Sequence, residues 1–545
     1  MLFHRRVRRD DLLAVAALVA AWVAAILLVD PRADVSILDD WCYAITVEQL
    51  LKGLPFRVSP WSSTFPPVQL WWGALFAWLG GFSYTTLRLS TLTLWLFGTL
   101  GSYGGLRTLD LRAGPALFGA FAFFFHPVGF VLAFSFMSDM PFVAFALASL
   151  WALTAGLRAA RQGTILLGLV LAFVAFFVRP VAIALPAGLF LGAFTLERRD
   201  LRWRVVAFAL LTIAAMAITS TALTRLFPWG GDGGVQYRVM RLAFILLVPP
   251  IVYVEAALSM LAHVGLFVLP VVVAFGPAPR RTTWLGAAAL IAAAVVVSQL
   301  ADSAVSALKF AHTVSIEELG AARPLLQGAP PRSAFGHFAA HAATALGLAS
   351  AAVLLERIVA ALRSGGRLRR PAWACVAGFG LGSAGICFVI WFFYDRYYLP
   401  LVWTGTVLAL AVDAVPVAFW RRGLGVALLA ALAAFDVTGT RDELAYARTV
   451  TATAAELRAA GVAELDLDAG YVENGWRLYA HPERLPTGKS PYLDVPHVTA
   501  KADGLPWVIA NAPLPGYVVT RTIEIPTWWA YTDRIYVLRG ISPPS

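Results

Sequence analysis

The sequence predicts an all-α polytopic membrane bundle of about thirteen transmembrane helices, followed by a small α/β domain outside the membrane. Three observations predict it. The 545 residues are 59% hydrophobic and only 14% charged, with a mean hydropathy of +0.72, whereas soluble chains carry about a quarter charged residues. Apolar runs of about 18 residues or more, long enough to cross a hydrocarbon core of roughly 30 Å as a helix, recur from residue 12 to about residue 435. After Phe435 the composition becomes mixed, with short runs between Pro and Gly.

Leu12 to Val29 is the first expected span. It follows His4, Arg5, Arg6, Arg8 and Arg9 as a secretory signal would, but its length and the lack of a small-residue cleavage site make it an uncleaved helix. Further spans are expected at 84–106, 115–135, 140–157, 163–179, 181–197, 205–226, 251–276, 283–300, 336–362, 372–394, 398–418 and 422–436. Val68 to Leu79, about 12 residues, is too short to cross and reads as an interfacial or re-entrant helix within a first outer loop at 30–83. Residues 1–435 then form the membrane domain and 436–545 the outer one. In the latter, Arg441 to Ala460 has amphipathic helical spacing closed by Gly461. Strand-like runs follow at 463–467, 507–509, 517–525 and 534–538. No repeat of 20 to 50 residues stands out.

The net charge of +11 is carried by short turns. Seven segments, from the N-terminus through Arg107–Arg112, Arg158–Arg161, Glu197–Arg204, Arg280–Arg281 and Arg363–Arg370 to Arg421–Arg422, hold twenty arginines against five acids. Such scattered basic turns follow the positive-inside bias and lack the clustered readers of a nucleic-acid face. They place the N-terminus in the cytoplasm, the C-terminal domain outside, and the loops at 30–83, 136–139, 227–250, 301–335 and 395–397 on the outer face of a plasma (inner) membrane.

Cysteine implies little. Cys375 and Cys387 lie twelve residues apart in one expected span, roughly 18 Å along a helix, and cannot pair with each other. Cys42 stands alone in the outer loop. No Cys or His spacing matches a zinc site, and no GxxxxGK[ST] phosphate loop occurs.

The chemistry is expected on the outer face. Asp39 and Asp40 precede a helix-compatible run, Trp41 to Leu51. A carboxylate there is an ordinary N-cap, but a cap needs only one acid and the second adds repulsion. Asp139, in Phe136-Met137-Ser138-Asp139-Met140-Pro141, also suits a helix start, and the topology sets it level with Asp39 and Asp40. Carboxylates so placed can deprotonate or orient an acceptor hydroxyl. Lys52, Arg57, Arg88, Arg179, Arg225, Arg323 and Arg396 share that level. Snorkelling explains a single outward arginine, and Tyr394, Tyr397 and Tyr398 suit an interfacial belt. Several arginines against the charge bias are better explained by a bound polyprenyl phosphate. Trp41, Tyr43 and Tyr397 are candidate contacts to a sugar or acceptor, alongside Trp61, Trp71 and Trp72.

These residues resemble the GT-C integral-membrane glycosyltransferases, within them the branch of protein O-mannosyltransferases and lipid A aminoarabinose transferases. The resemblance rests on Asp39-Asp40-Trp41-Cys42-Tyr43-Ala44, Thr64-Phe65-Pro66-Pro67, Met137-Ser138-Asp139-Met140-Pro141, Arg179-Pro180 and Arg396-Tyr397, in that order over residues 10 to 435. It implies a polyprenyl-phosphate-sugar donor, an envelope glycan, lipid or protein acceptor, and inversion at the anomeric carbon. It implies Asp39 as the catalytic carboxylate, with Asp139 and Asp40 assisting. Arg179, Arg396, Lys52 and Arg88 would then hold the donor phosphate. No cofactor or metal is required, although an acid pair near phosphates could recruit a divalent cation. Where aminoarabinose transferases carry Glu-Lys-Pro, this chain has Thr64-Phe65-Pro66, which points to another acceptor. A lipid-linked glycan polymerase or ligase shares this chemistry. A flippase or transporter would place ionisable groups at mid-membrane, where only His126 and His263 stand here.

Overall fold

A computed structural model of the chain describes residues 9–227 except 60 and 63, then 247, 249–276, 279–304, 326–328, 334–363, 369–389, 395–411, 417–489 except 486, 504–528 and 533–541. Arg323, Tyr394 and most of the expected outer loops at 227–250 and 301–335 lie outside the described residues.

Helices dominate. They are α1 (Arg9–Val29), α2 (Trp41–Leu51), α3 (Pro67–Gly80), α4 (Tyr84–Thr108), α5 (Ala113–Phe124), α6 (Pro127–Ala133), α7 (Asp139–Ala159), α8 (Gln162–Phe176), α9 (Ala184–Phe194), α10 (Arg199–Leu226), α11 (Pro250–Phe275), α12 (Arg281–Ala304), α13 (Ala334–Arg363), α14 (Pro371–Cys387), α15 (Leu399–Ala411), α16 (Phe419–Ala459) and α17 (Gly470–Asn474). Among the described residues, six helices are long and apolar enough to cross a membrane, or seven if the bent pair α5–α6 counts as one span. The chain is a multi-pass membrane protein.

Each expected span coincides with a helix, yet thirteen full crossings are not what the lengths give. Prolines account for much of the difference. The run at 115–135 breaks at His126-Pro127 with a 66° bend, and Pro180 opens a 3-10 turn, Pro180–Ile183, ahead of the 11-residue α9. Helix α3 has 14 residues, about 21 Å, and exposes Trp71, Leu75, Trp78 and Leu79, as an interfacial helix would. The expected border at 435/436 falls inside the 41-residue α16, which runs unbroken into the C-terminal domain and ends before Gly461, at φ 94°.

That domain has a four-stranded sheet of order β1-β2-β4-β3, from β1 (Leu467–Asp468), β2 (Trp507–Ala510), β3 (Tyr517–Glu524) and β4 (Arg534–Gly540). The strand expected at 463–467 is mostly a 3-10 turn, Glu464–Asp466, with only two residues pairing parallel to β2. The other neighbours are antiparallel, with a bulge between Val519 and Arg521. Ala445, Tyr446, Val450 and Ala454 of α16 pack under Leu467, Ile509, Ile525 and Ile535.

In the bundle, α9 and α14 approach at backbone distance. An ideal Cβ on Gly188 would lie 2.6 Å from the Cys375 carbonyl oxygen, and one on Gly378 would lie 2.9 Å from Gly188 Cα. Both helices carry the small-residue spacing that permits this, Gly188-x-x-x-Gly192 and Gly378-x-x-x-Gly382. At one end of α4, Arg107 and Tyr103 bind Asp11, while its other end, at Tyr84, meets the loop between α1 and α2 at Asp34. The functional candidates gather at that second end.

Candidate functional site

The segment between α1 and α2 is pinned to the bundle by two buried groups. Arg88, on α4, directs its guanidinium to the carbonyls of Phe134, at 2.9 Å, Pro31, Ala33 and Val35. Asp40 accepts from Ser36 Oγ at 2.5 Å, Ile37 N at 3.0 Å and Phe136 N at 3.3 Å. Both are fully buried, and both satisfy backbone that lies outside any helix or sheet ladder. Burial pushes the Asp40 carboxyl up to about 6, against the pull of Arg88 and of its three hydrogen bonds. Leu38 turns through φ 56°, a left-handed conformation costing a non-glycine residue about 1–2 kcal/mol. On its far side Asp39 keeps 37% of its side chain exposed.

Asp39, Asp139, Arg179 and Arg396 form one cluster. Asp139 opens α7, and its carboxylate meets Arg179 Nη2 at 2.8 Å, both side chains at least 96% buried. Arg179 leaves α8 just before the 3-10 turn, and its Nε also donates to Ser138 Oγ at 2.9 Å. Arg396 lies in a second 3-10 turn, Asp395–Tyr398, ahead of α15, with Nη2 3.9 Å from Asp39 and Nε 3.9 Å from Asp139. Burial works against the Arg396 charge, but Asp139, Tyr397 and Asp39 outweigh it and hold the guanidinium firmly protonated. Two carboxylates and two guanidiniums thus face one another, with Asp39 the most open of the four.

The other sequence candidates are distributed around this cluster. Tyr43 is buried beneath it, its hydroxyl 3.5 Å from Ser138 Oγ. The Tyr397 ring lies 5.3 Å from the Arg179 guanidinium carbon. Trp41, expected against a sugar, is instead wholly buried among Trp61, Tyr471 and Tyr479. Arg88 and Asp40 are engaged with the loop instead. As described above, their donors and acceptors close the loop's own backbone, which leaves Arg88 no exposed surface for a phosphate. Lys52 sits one residue past the far end of α2, about 16 Å along the helix from Trp41, and pairs with Glu48 at 2.9 Å. Cys42 is 1% exposed because α2 buries that face.

Among the described residues no group of three or more His, Cys, Asp and Glu is arranged to hold a metal ion.

Sequence reasoning missed Tyr471. It stands at the start of α17 in the C-terminal domain, and its hydroxyl donates to Asp39 Oδ1 at 2.7 Å while accepting from Trp61 Nε1 at 2.6 Å. Burial and the neighbouring Asp39 push the phenol well above its usual range, so it remains a donor. The contact spans 432 positions, and no local pattern near Tyr471 announces it.

No protein-family description and no curated protein matches the chain. Solved structures are similar to it at low identity. The crystal structure of ArnT from Cupriavidus metallidurans bound to undecaprenyl phosphate matches with TM-score 0.40 and 16% identity, over 97% of this chain and 98% of that one. ArnT from the same organism in the apo state matches with TM-score 0.38 and 16% identity, over 97% of each chain. The archaeal oligosaccharyltransferase AglB from Archaeoglobus fulgidus, in complex with an inhibitory peptide and a dolichol-phosphate, matches with TM-score 0.40 and 14% identity, over 79% of this chain and 55% of that one.

Proposed function

We propose that the chain is an inverting membrane glycosyltransferase that moves a sugar from a polyprenyl-phosphate donor to a hydroxyl of an envelope glycan, lipid or protein on the outer face. The observation that carries this reading is the cluster itself, an accessible carboxylate beside a buried acid and two buried arginines at one end of an apolar bundle.

In this reading Asp39 takes the proton of the acceptor hydroxyl. The acceptor oxygen bonds to the anomeric carbon from the face opposite the leaving group. The bond from that carbon to the phosphate oxygen breaks, and the lipid phosphate leaves with the electron pair. Arg396, 3.9 Å from both carboxylates, is the guanidinium placed between them and the one that would meet the donor phosphate. Arg179 anchors Asp139, and Asp139 in turn orients Arg396. Lys52 and Arg88 are left out of the phosphate site, and Asp40 becomes a support of the loop that aims Asp39.

The experiment uses full-length protein in liposomes with a radiolabelled polyprenyl-phosphate sugar and crude envelope acceptors. Wild type transfers label, and Asp39→Asn lowers the rate by about 10³-fold or more at an unchanged melting temperature. Wild-type rates in the variant would refute the assignment of Asp39.

A further inference from the structure

Residues 134–138, which carry the chain from α6 to Asp139, lie outside the helices, and side chains from elsewhere hold their backbone. Arg88 donates to Phe134 O, and Asp40 accepts from Phe136 N. A third side chain is Gln69 of α3, whose Nε2 donates to Phe136 O at 2.7 Å. Gln69 is fully buried, and its carbonyl partner fixes which way the amide points. Its Oε1 is then buried without a hydrogen bond. A leucine would fill nearly the same space and leave no oxygen unpaired, so packing does not account for the amide, whereas its donor does.

The same helix reaches the other half of the buried ion pair. Helix α8 ends at Phe176, and the next carbonyl, Phe177 O, accepts Val68 N at 3.3 Å. Val68 N belongs to the first turn of α3, where N–H groups have no intrahelical carbonyl, and Pro67 before it has no N–H at all. Gly73 brings α3 close to the segment, since a Cβ there would collide with the Phe136 ring. One helix thus grips the chain three residues before Asp139 and two before Arg179.

We propose that α3 is the strut that sets Asp139 and Arg179 against each other, and that Gln69 is a positioning residue for the donor phosphate, acting through Asp139 on Arg396; this rests on the transferase reading above. Asp139 lies 3.9 Å from Arg396 Nε, so a shift of the Phe136 peptide moves the acid relative to the guanidinium that meets the phosphate. Asp39 is carried by the loop before α2, to which Gln69 makes no bond. Loss of the amide therefore weakens the hold on the donor and spares the hold on the acceptor.

The test compares full-length wild type with Gln69→Leu, which keeps the bulk and removes the donor, and with Leu70→Ala, which opens a cavity in the same helix and leaves the amide in place. Undecaprenyl phosphate, which presents the phosphate whatever the sugar, is titrated into each protein in detergent. Transfer is followed in liposomes with radiolabelled undecaprenyl-phosphate mannose or glucose and a crude envelope fraction. Gln69→Leu should bind undecaprenyl phosphate about tenfold more weakly and raise the donor KM to match, with the acceptor KM within about twofold of wild type. Leu70→Ala should lower the melting temperature and keep the wild-type affinity, because fewer folded molecules do not change a dissociation constant. Gln69→Glu supplies the rescue. At about pH 5.5 its buried carboxyl is protonated and can donate to Phe136 O, so its affinity approaches that of wild type at the same pH and departs from it as the carboxyl ionises. Wild-type affinity in Gln69→Leu, or an equal loss in Leu70→Ala, would overturn the positioning role and leave the transferase reading intact. If wild type does not bind undecaprenyl phosphate, the transferase reading fails and the positioning role falls with it.

Discussion

Asp39 and Asp40 adjoin in sequence and differ in every physical respect that matters to chemistry. The left-handed turn at Leu38 separates them, so that Asp39 reaches Arg396 and Tyr471 while Asp40 ties Ser36, Ile37 and Phe136 together. Their titration is expected to separate them in experiment. The folded Asp40 carboxyl, at about 6, stands above its ordinary value of 3.8, so the native state binds its proton more tightly than the unfolded state does. Its contribution to stability is then fully present below about pH 4 and is lost as the pH rises through 6. Melting temperatures in detergent should fall between pH 4 and pH 6 for wild type, and this slope should flatten in Asp40→Asn. An identical slope in the variant would assign the effect to other groups. The sequence made the acid pair visible as a pair; it held no sign of which acid faces the site, because that depends on one backbone angle at Leu38 and on donors 96 positions away.

At the scale of elements, the arginine that anchors Asp139 is placed by how α9 packs. Arg179 is followed at once by the Pro180–Ile183 turn and α9, and α9 is held against α14 by glycine-to-backbone contact at Gly188, Gly192 and Gly378. A side chain at Gly188 has nowhere to go, since its Cβ alone would meet Cys375 O at 2.6 Å and Phe379 N at 2.7 Å. Gly188→Val should therefore force the helices apart at a cost of about 1–3 kcal/mol, seen as a lower melting temperature. Through Arg179 it should also slow transfer, although Gly188 lies outside the cluster. Gly163→Val, at a position where an added Cβ meets nothing within 4 Å, is the control and should change neither. Helix positions were legible from hydropathy alone, because an apolar run of this length has few alternatives to a helix. The breaks at Pro127 and Pro180 are written in the sequence too, but hydropathy over 115–135 and 181–197 averages across these prolines and does not register them. The paired Gly-x-x-x-Gly spacings in α9 and α14 were equally visible and also passed over.

For the whole molecule, the distribution of charge gives the expectation for which end of the bundle faces outward. Asp11 with Arg107, and Asp110 with Arg158, mark the end of α4 opposite the cluster. The exposed Arg422, at the start of α16, belongs to another of the basic turns assigned inside. The C-terminal domain reaches the cluster through Tyr471, a joining of residues 39 and 471 that hydropathy could not foretell, since both belong to polar segments with no shared pattern. If the bias of the turns holds, cluster and outer domain together face away from the cytoplasm. The buried Cys42, Cys375 and Cys387 leave a low thiol background for testing this. Lys52→Cys replaces a side chain that is 55% exposed and held only by a surface ion pair worth about 0–1 kcal/mol, and Arg422→Cys replaces an exposed arginine on the other side. In intact cells an impermeant maleimide should label the cysteine at 52 and reach the one at 422 only after permeabilisation. The reverse pattern would put Asp39 in the cytoplasm, where acceptors of the outer envelope do not meet it, and the proposed transfer would then have to act on a cytoplasmic substrate.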